Sequence, residues 1–420
     1  MSHIEDRWYR KARGPDGKIL LNDRGKPVME KDPQRYGKGK RWRLRLEGGR
    51  PSESFATKTA IDARKKIVDA EVLTDTYIDP NAGKITFEEH ARGVIKTRSL
   101  DPASRELIEQ RMEDHVYPVI GATAIGELSK RPSRIQALIN TMEKKGLSPN
   151  TIDGTMSYVN LAFAAAVEDE LIRKNPCRSS TISLPKIIER KIVVWTPEQV
   201  FAMAEHLHAR YSAVVAAGAG IGLRLGEILG LGPDDIDWEL DVVHVRRQLK
   251  MLKGADRKSV MVFAPPKGGK ERDVPLAGLV KLLLVEHMRL YPPIEVKLPW
   301  GRVDGELVAA RLFFSTSRGR PVRDSTFRPT WRSALRRAGI VPKLAKGQSG
   351  AAFREHGPHM LRRYFASVLM AKGESPKAVS LWMGHGDGGV LLLRTYAHLM
   401  PSSVQQMRAS IDRALPLAPT

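Results

Sequence analysis

Gly220-Ile221-Gly222-Leu223-Arg224-Leu225-Gly226-Glu227-Ile228-Leu229-Gly230-Leu231 is the stretch from which the reading of this 420-residue chain grows. Two glycines let the backbone approach a neighbour closely before a helix that opens at about Arg224. The guanidinium then projects into a cleft, where its planar fork can grip a phosphate through two parallel bonds. Alone the pattern is weak, because glycine-rich helix starts with an arginine are usually structural. Three later stretches change its weight. Pro266-Lys267-Gly268-Gly269-Lys270-Glu271-Arg272-Asp273-Val274-Pro275-Leu276 reads as a β-hairpin tip, a glycine turn between basic residues. Lys267 is its residue of interest; Lys270 and Arg272 read as solvated or in plain backbone contact. In His359-Met360-Leu361-Arg362 the three-residue spacing puts imidazole and guanidinium on one helical face, with Pro358 at the helix start. Met383-Gly384-His385 is followed by Arg394-Thr395-Tyr396-Ala397-His398. His398 and Tyr364, beside these motifs, are assigned to packing or backbone contact, and Glu227 to orienting its neighbours.

Working outward, the composition sets the class. Sixty-nine Lys and Arg against 47 Asp and Glu give a formal charge of +22, and a surface this basic collects polyanions by counterion release. Nucleic acid is the expected partner, although charge alone chooses no reaction. No apolar run approaches the roughly 20 residues that span a bilayer, and Met1 to Arg13 carries no apolar leader, so a cytoplasmic protein with no membrane partner is expected. The single cysteine, Cys177, rules out an intramolecular disulfide and reads as a half-buried structural thiol.

The chain divides by pattern. Residues 1–50 hold fifteen Lys or Arg against seven Asp or Glu, and Trp8 to Arg13 and Arg41 to Leu46 alternate large apolar with basic residues as strands do. Gly14 to Asp16 and Gly48-Gly49 supply turns, and a helix after Thr59 is placed to cover the small sheet. Thr86 and Glu89 have capping-box spacing, Asp101-Pro102 and Ser148-Pro149 start further helices, and Asn175-Pro176 is expected to end the second of these. Ile152, Val159, Phe163 and Val167 share one helical face. Residues 178–194 read as a linker, and Trp195-Thr196-Pro197-Glu198 opens a new helix in a mainly helical region with short β stretches at 242–245 and 260–263. Val404, Met407 and Ile411 recur at the spacing of a short amphipathic C-terminal helix.

In this order the four segments resemble the tyrosine recombinase (phage integrase) family, whose catalytic domain carries Arg, Lys, His-x-x-Arg, His or Trp, and Tyr. The resemblance covers about the last half of the chain. It matches Arg224 to the first arginine, Lys267 to the hairpin lysine, His359 and Arg362 to the pair, His385 to the following histidine position and Tyr396 to the nucleophile. The middle segment, with His115-Val116-Tyr117-Pro118-Val119-Ile120-Gly121, is similar to the family's helical core-binding domain, and the N-terminal segment to its arm-binding domains. The implied fold is multidomain, mainly α with small β-sheets. Residues 1–78 would form a sheet-plus-helix arm-binding domain, 79–180 a helical, SAM-like core-binding domain, and 181–420 a mixed, mostly α catalytic domain. The implied activity is site-specific DNA recombination through a 3′-phosphotyrosyl intermediate, integrating or excising a phage or mobile element. It needs no cofactor and no metal. Partners would be double-stranded DNA attachment sites, further copies in a homotetramer, and accessory directionality or DNA-bending proteins. The rivals are a type IB topoisomerase, disfavoured by the two extra DNA-binding units, and a non-catalytic DNA-binding regulator, disfavoured by the complete set of six residues. The sequence departs from the family in a longer interval between His385 and Tyr396, which holds Gly386, Asp387, Gly388 and Gly389, and in Leu298 to Leu307, which reads as an added loop.

These residue types suit the reaction. A phosphodiester gains charge on its oxygens as phosphorus becomes five-coordinate, and fixed cationic donors lower that barrier. Arg224 and Arg362 supply permanently charged forks. His359 and His385 add hydrogen bonds, and His359 is placed to take the phenol proton. Tyr396 is a poor nucleophile while protonated, and the cationic pocket is expected to favour phenolate. In the family the hairpin lysine is thought to protonate the departing 5′ oxygen, the role that then falls to Lys267.

Overall fold

The computed structural model describes residues 2–46, 52–74, 77, 79, 81–187, 193–254, 258–342, 353, 355–400, 408 and 411. The chain divides into two compact units, Met1–Ile188 and Glu189–Thr420.

In the first unit the alternating pattern around Trp42 makes the central strand of a small sheet. β1 (Ser2–Asp6), β2 (Tyr9–Lys11), β3 (Met29–Lys31), β4 (Trp42–Leu46) and β5 (Glu53–Phe55) form two antiparallel groups, β1-β4-β5 and β2-β3. Leu44 and Leu46 point to one side and are buried, whereas Arg45 between them is exposed. The helix α1 (Lys58–Leu73) covers the apolar side with Ile61 and Val68. Its cap is Thr57, whose hydroxyl accepts from the Ala60 N–H, so the helix begins two residues earlier than Thr59 suggests. The turn at Gly14 closes as expected by a bond from the Gly17 N–H to the Gly14 carbonyl, 2.9 Å. Gly48-Gly49 lies outside the described residues.

The helical part of this unit comprises α2 (Phe87–Thr97), α3 (Pro102–Arg111), α4 (Ile125–Lys130), α5 (Pro132–Lys144) and α6 (Pro149–Glu168). Thr86, Asp101 and Ser148 accept backbone N–H bonds at three of these starts. Between α3 and α4, Met112–Gly121 winds as wide π-type turns around Pro118, which has no N–H to give to the usual ladder. Phe87, Ile108, Val116, Leu138, Ile152, Val159 and Phe163 make the core. One expectation fails: α6 ends at Glu168, and Asn175-Pro176 instead starts a separate short turn, Pro176–Arg178. The break comes earlier because Glu170 takes a left-handed conformation, φ 56°. Cys177 is half-buried and its thiol is pushed up to about 12 by burial.

The second unit opens on α7 (Pro197–His206), closed by a reciprocal capping box between Thr196 and Gln199, and continues with α8 (Ala209–Gly220) and the short α9 (Leu225–Leu229). Strands β6 (Ile236–Asp237), β7 (Val242–Val245), β8 (Gln248–Lys253), β9 (Ser259–Ala264) and β10 (Arg272–Pro275) come next, then α10 (Gly278–Leu290). β11 (Ile294–Pro299), β12 (Leu307–Leu312), α11 (Asp324–Arg337), α12 (His359–Ala371), α13 (Pro376–Met383) and α14 (Val390–Tyr396) complete it. Two readings are corrected here. β9 pairs with β8 and β10 with β7, so 265–271 is a crossing between two sheets and not a hairpin tip. Residues 298–307 are not a plain loop: β11 and β12 pair in antiparallel register, Leu298 opposite Val308, and the Trp300 segment docks on β9 through a bond from the Gly301 N–H to the Phe263 carbonyl, 2.7 Å. The C-terminal helix expected from Val404, Met407 and Ile411 lies outside the described residues, Ile411 excepted.

α8 and α12 lie against each other closely enough to need glycine. A Cβ on Gly218 would stand 2.6 Å from Leu361, and one on Gly222, whose φ is +73°, 2.5 Å from Phe365. This contact brings the Arg224 segment to the start of α12. Among the described residues no helix is long and apolar enough to cross a membrane.

Candidate active site

Glu227 is the pivot of the site. It sits on α9, 1% exposed, and its carboxylate binds two guanidiniums at once. Oε2 accepts from the Arg224 backbone N–H at 2.9 Å, and Oε1 from Arg224 Nη1 at 2.9 Å. Arg272 completes the cage, with Nη2 on Oε2 at 2.7 Å and Nη1 on Oε1 at 3.2 Å. Burial alone would raise the carboxyl pKa; the bonds and charges of Arg272 and Arg224 outweigh it and hold it below its ordinary value. Glu227 therefore stays ionised and fixes both arginines, the orienting role its spacing suggested.

Arg362, on the first turn of α12, is 1% exposed and has no carboxylate of its own. Nη1 donates to the Gly222 carbonyl at 2.6 Å and Nη2 to the Met383 carbonyl. The two carbonyls belong to the turns that precede Arg224 and His385, so one guanidinium ties three segments together. Burial and the nearby charge of Arg224 lower its pKa to about 9, which still leaves it cationic at neutral pH. His359 begins the same helix with one edge open to solvent. Desolvation of its inner edge, and then Arg362, Arg363 and Arg224, pull its pKa down to about 4. His385 follows Gly384, a left-handed helix stop at φ 64°, and is likewise lowered by burial and by Arg362 and Arg224. Its Nδ1 is buried without a hydrogen-bond partner. Both imidazoles are neutral at pH 7.

Tyr396 ends α14, 5% exposed, within the electrostatic reach of Arg363 and Arg362. Here a sequence expectation is reversed. The arginines do favour phenolate, but burial outweighs them and the phenol pKa is raised. The longer interval before it is taken up by the Gly388 and Gly389 turn, φ 65° and 103°, where Asp387 accepts the Leu391 N–H at 2.7 Å.

The structure thus brings Arg224, His359, Arg362, His385 and Tyr396 together, each perturbing or perturbed by the others. Lys267 is exposed on the glycine turn after β9, with Gly268 at φ 89° and Gly269 at φ 70°. Arg272 is the residue the sequence reading misplaced. Its side chain is 7% exposed, not solvated. The available signal was its period-two alignment with Val274 and Leu276, both buried, which puts it on the inner face of β10. Among the described residues no group of three or more His, Cys, Asp or Glu is placed to hold a metal ion.

The chain is similar to several known proteins. The sequence profile described as the phage integrase family matches residues 195–402. A "Tyrosine recombinase XerC-like" protein of Caldanaerobacter subterraneus subsp. tengcongensis is 28% identical over 278 residues, 64% of this chain and 67% of that one. An integrase of Mycobacterium phage D29 is 25% identical over 330 residues, 77% of this chain and 78% of its own. Among solved structures, the Tn1549 transposon integrase in complex with a circular intermediate DNA superposes with a TM-score of 0.61 at 21% identity, covering 78% of this chain and 99% of that one, a likeness of fold. With the Arg, His-x-x-Arg, His and Tyr positions gathered on one matched domain, the chain belongs to the tyrosine recombinase (phage integrase) family.

Proposed function

We propose that this site-specific recombinase cuts and rejoins duplex DNA with Tyr396 as nucleophile and Arg224, Lys267, His359, Arg362 and His385 around the scissile phosphate. The observation that carries the assignment is the recess itself. Two guanidiniums share one carboxylate, a third is held only by carbonyl oxygens, and the charges of all three reach His385, whose Nδ1 has no partner among the described residues, so the site has donors and positive charge left over for an anion. In the free protein the buried phenol keeps its proton. A bound phosphodiester brings the reacting atom, and neutral His359 is fit to accept that proton as Tyr396 Oη bonds to phosphorus. The bond from phosphorus to the 5′ oxygen breaks, Lys267 protonates the leaving oxygen, and the 3′-phosphotyrosyl ester keeps the bond energy for religation. Lys267 must move toward the phosphate for this, which its two-glycine turn permits.

The same reading assigns 1–78 to arm-type sites, 79–180 to core sites and 181–420 to catalysis. Arg328, Arg332 and Arg336, exposed along one face of α11, are suited to the DNA backbone beside the catalytic recess's own unit. Exchange between two duplexes breaks four strands, and one tyrosine per chain then calls for a tetramer on DNA. A reaction on DNA suits a chain that works in the cytoplasm beside that DNA.

Replacing Tyr396 with Phe tests the assignment. With a duplex nicked so that cleavage traps the enzyme, the unsubstituted protein is expected to form a covalent adduct and Tyr396→Phe none, at equal DNA affinity. An adduct from the Phe variant would refute it.

A further inference from the structure

We propose that Arg272 is a positioning residue for strand cleavage, setting Arg224 and His385 against each other through Glu227 and the end of α13. The inference rests on the reading of the recess as the cleavage site. Arg272 opens β10, and all three of its nitrogens are engaged inward. Nη1 and Nη2 hold the two oxygens of Glu227, and Nε donates to the Trp382 carbonyl at 2.6 Å. Each Glu227 oxygen is also held by Arg224, once through the backbone and once through the guanidinium. Arg272 therefore reaches Arg224 through one shared carboxylate. At its other end, Trp382 is one residue before Met383, whose carbonyl takes Arg362, and three before His385. The packing there is close: a Cβ on Gly384 would lie 3.1 Å from the Arg272 guanidinium. One side chain thus spans the gap between the two turns that present the first arginine and the second histidine.

A purely stabilising role fits this arrangement poorly. Buried ion pairs give little net stability, because desolvation offsets their attraction. Here Arg224 and Arg272 share a single carboxylate and Arg362 beside them is held by carbonyl oxygens, an arrangement that accumulates positive charge where stability alone would balance it. The bonds of Arg272 run to Glu227 and the Trp382 carbonyl and its side chain is 7% exposed, so its contribution is to geometry. A lysine would keep the charge but cannot bridge two carboxylate oxygens and a carbonyl from one rigid plane.

Single-turnover cleavage of the nicked duplex by Arg272→Gln, Arg272→Lys, Arg224→Lys and the Arg224→Lys/Arg272→Gln double variant, beside DNA affinity, tests this. Arg272→Gln is expected to cleave about 100-fold more slowly while its Kd stays within about threefold, and Arg272→Lys to recover less than about a tenth of the loss. The double variant is expected to be no slower than the worse single variant within about threefold, because both act through one geometry. Wild-type cleavage by Arg272→Gln, or penalties that multiply in the double variant, overturns the inference. If Arg272→Gln does not fold, Arg272→Lys carries the test: a slow rate at intact affinity supports the proposal and a wild-type rate overturns it. No adduct from the unsubstituted protein overturns the reading of the recess and this inference with it, whereas an adduct equal in wild type and Arg272→Gln overturns the inference alone.

Discussion

The N-terminal sheet and the recess around Glu227 are both rich in arginine, yet they treat its charge in opposite ways. At the sheet, Arg41 and Arg45 each have an acid of their own. Arg41 holds Asp6 through two bonds at 2.8 and 3.0 Å while lying over Trp42 at 4.6 Å, and Arg45 holds Glu5 at 2.6 Å. These pairs are partly exposed and their charge is already answered, so each contributes little to stability. In the recess, one buried carboxylate serves Arg224 and Arg272, and Arg362 has only carbonyl oxygens. Positive charge held rigid, desolvated and unanswered is the condition under which a developing anion is stabilised most. The difference predicts that arginines of the recess control rate, and those of the sheet control local order or affinity.

The largest effect should come from Arg362→Lys. It removes a fork that joins Gly222 to Met383, and cleavage is expected to fall about 1000-fold with DNA affinity within about threefold. Arg224→Lys should follow at about 100-fold, since Glu227 and Arg272 still frame the site. Rates within about threefold of wild type for both variants would break the contrast with the sheet.

Much of this was legible in the sequence, for local reasons. The caps at Thr86, Asp101, Ser148 and Thr196, and the strand alternation at Trp42 to Leu46, rest on interactions within a few residues. So does the shared helical face of His359 and Arg362. What was not legible depends on pairing at a distance. The glycine turn at 266–269 looks like a hairpin tip, but β9 and β10 each found another partner, which only the register with β8 and β7 decides. Arg272 read as solvated because its partner, Glu227, is 45 residues away. The phenol of Tyr396 followed burial and not the neighbouring charge, a balance that no spacing encodes.

A smaller effect sharpens the comparison on the sheet. Arg41→Ala should leave single-turnover cleavage within about twofold, and loosen the Trp8, Tyr9 and Trp42 cluster, read as earlier proteolysis of the N-terminal segment. A loss of cleavage as large as that of Arg224→Lys would show that the two regions are not separate in function.

The smallest effect is on pH. His359 has a folded pKa of about 4 against an ordinary 6.5, so between these values the unfolded chain binds the proton more readily. This part of the stability is present above the ordinary value and is lost as pH falls through the folded one. Melting temperature measured across that window should therefore drop more in the unsubstituted protein than in His359→Asn, by an amount reduced by the open edge of the ring. Parallel curves would show that burial and the neighbouring arginines do not hold His359 below its ordinary value.

The most direct test of the central claim is to trap the covalent complex on nicked duplex DNA, digest it with protease and nuclease, and map the attached nucleotide by mass spectrometry. The account predicts one modified peptide, carrying the phosphate on Tyr396. Attachment at any other residue, or no attachment while recombination proceeds, would contradict it.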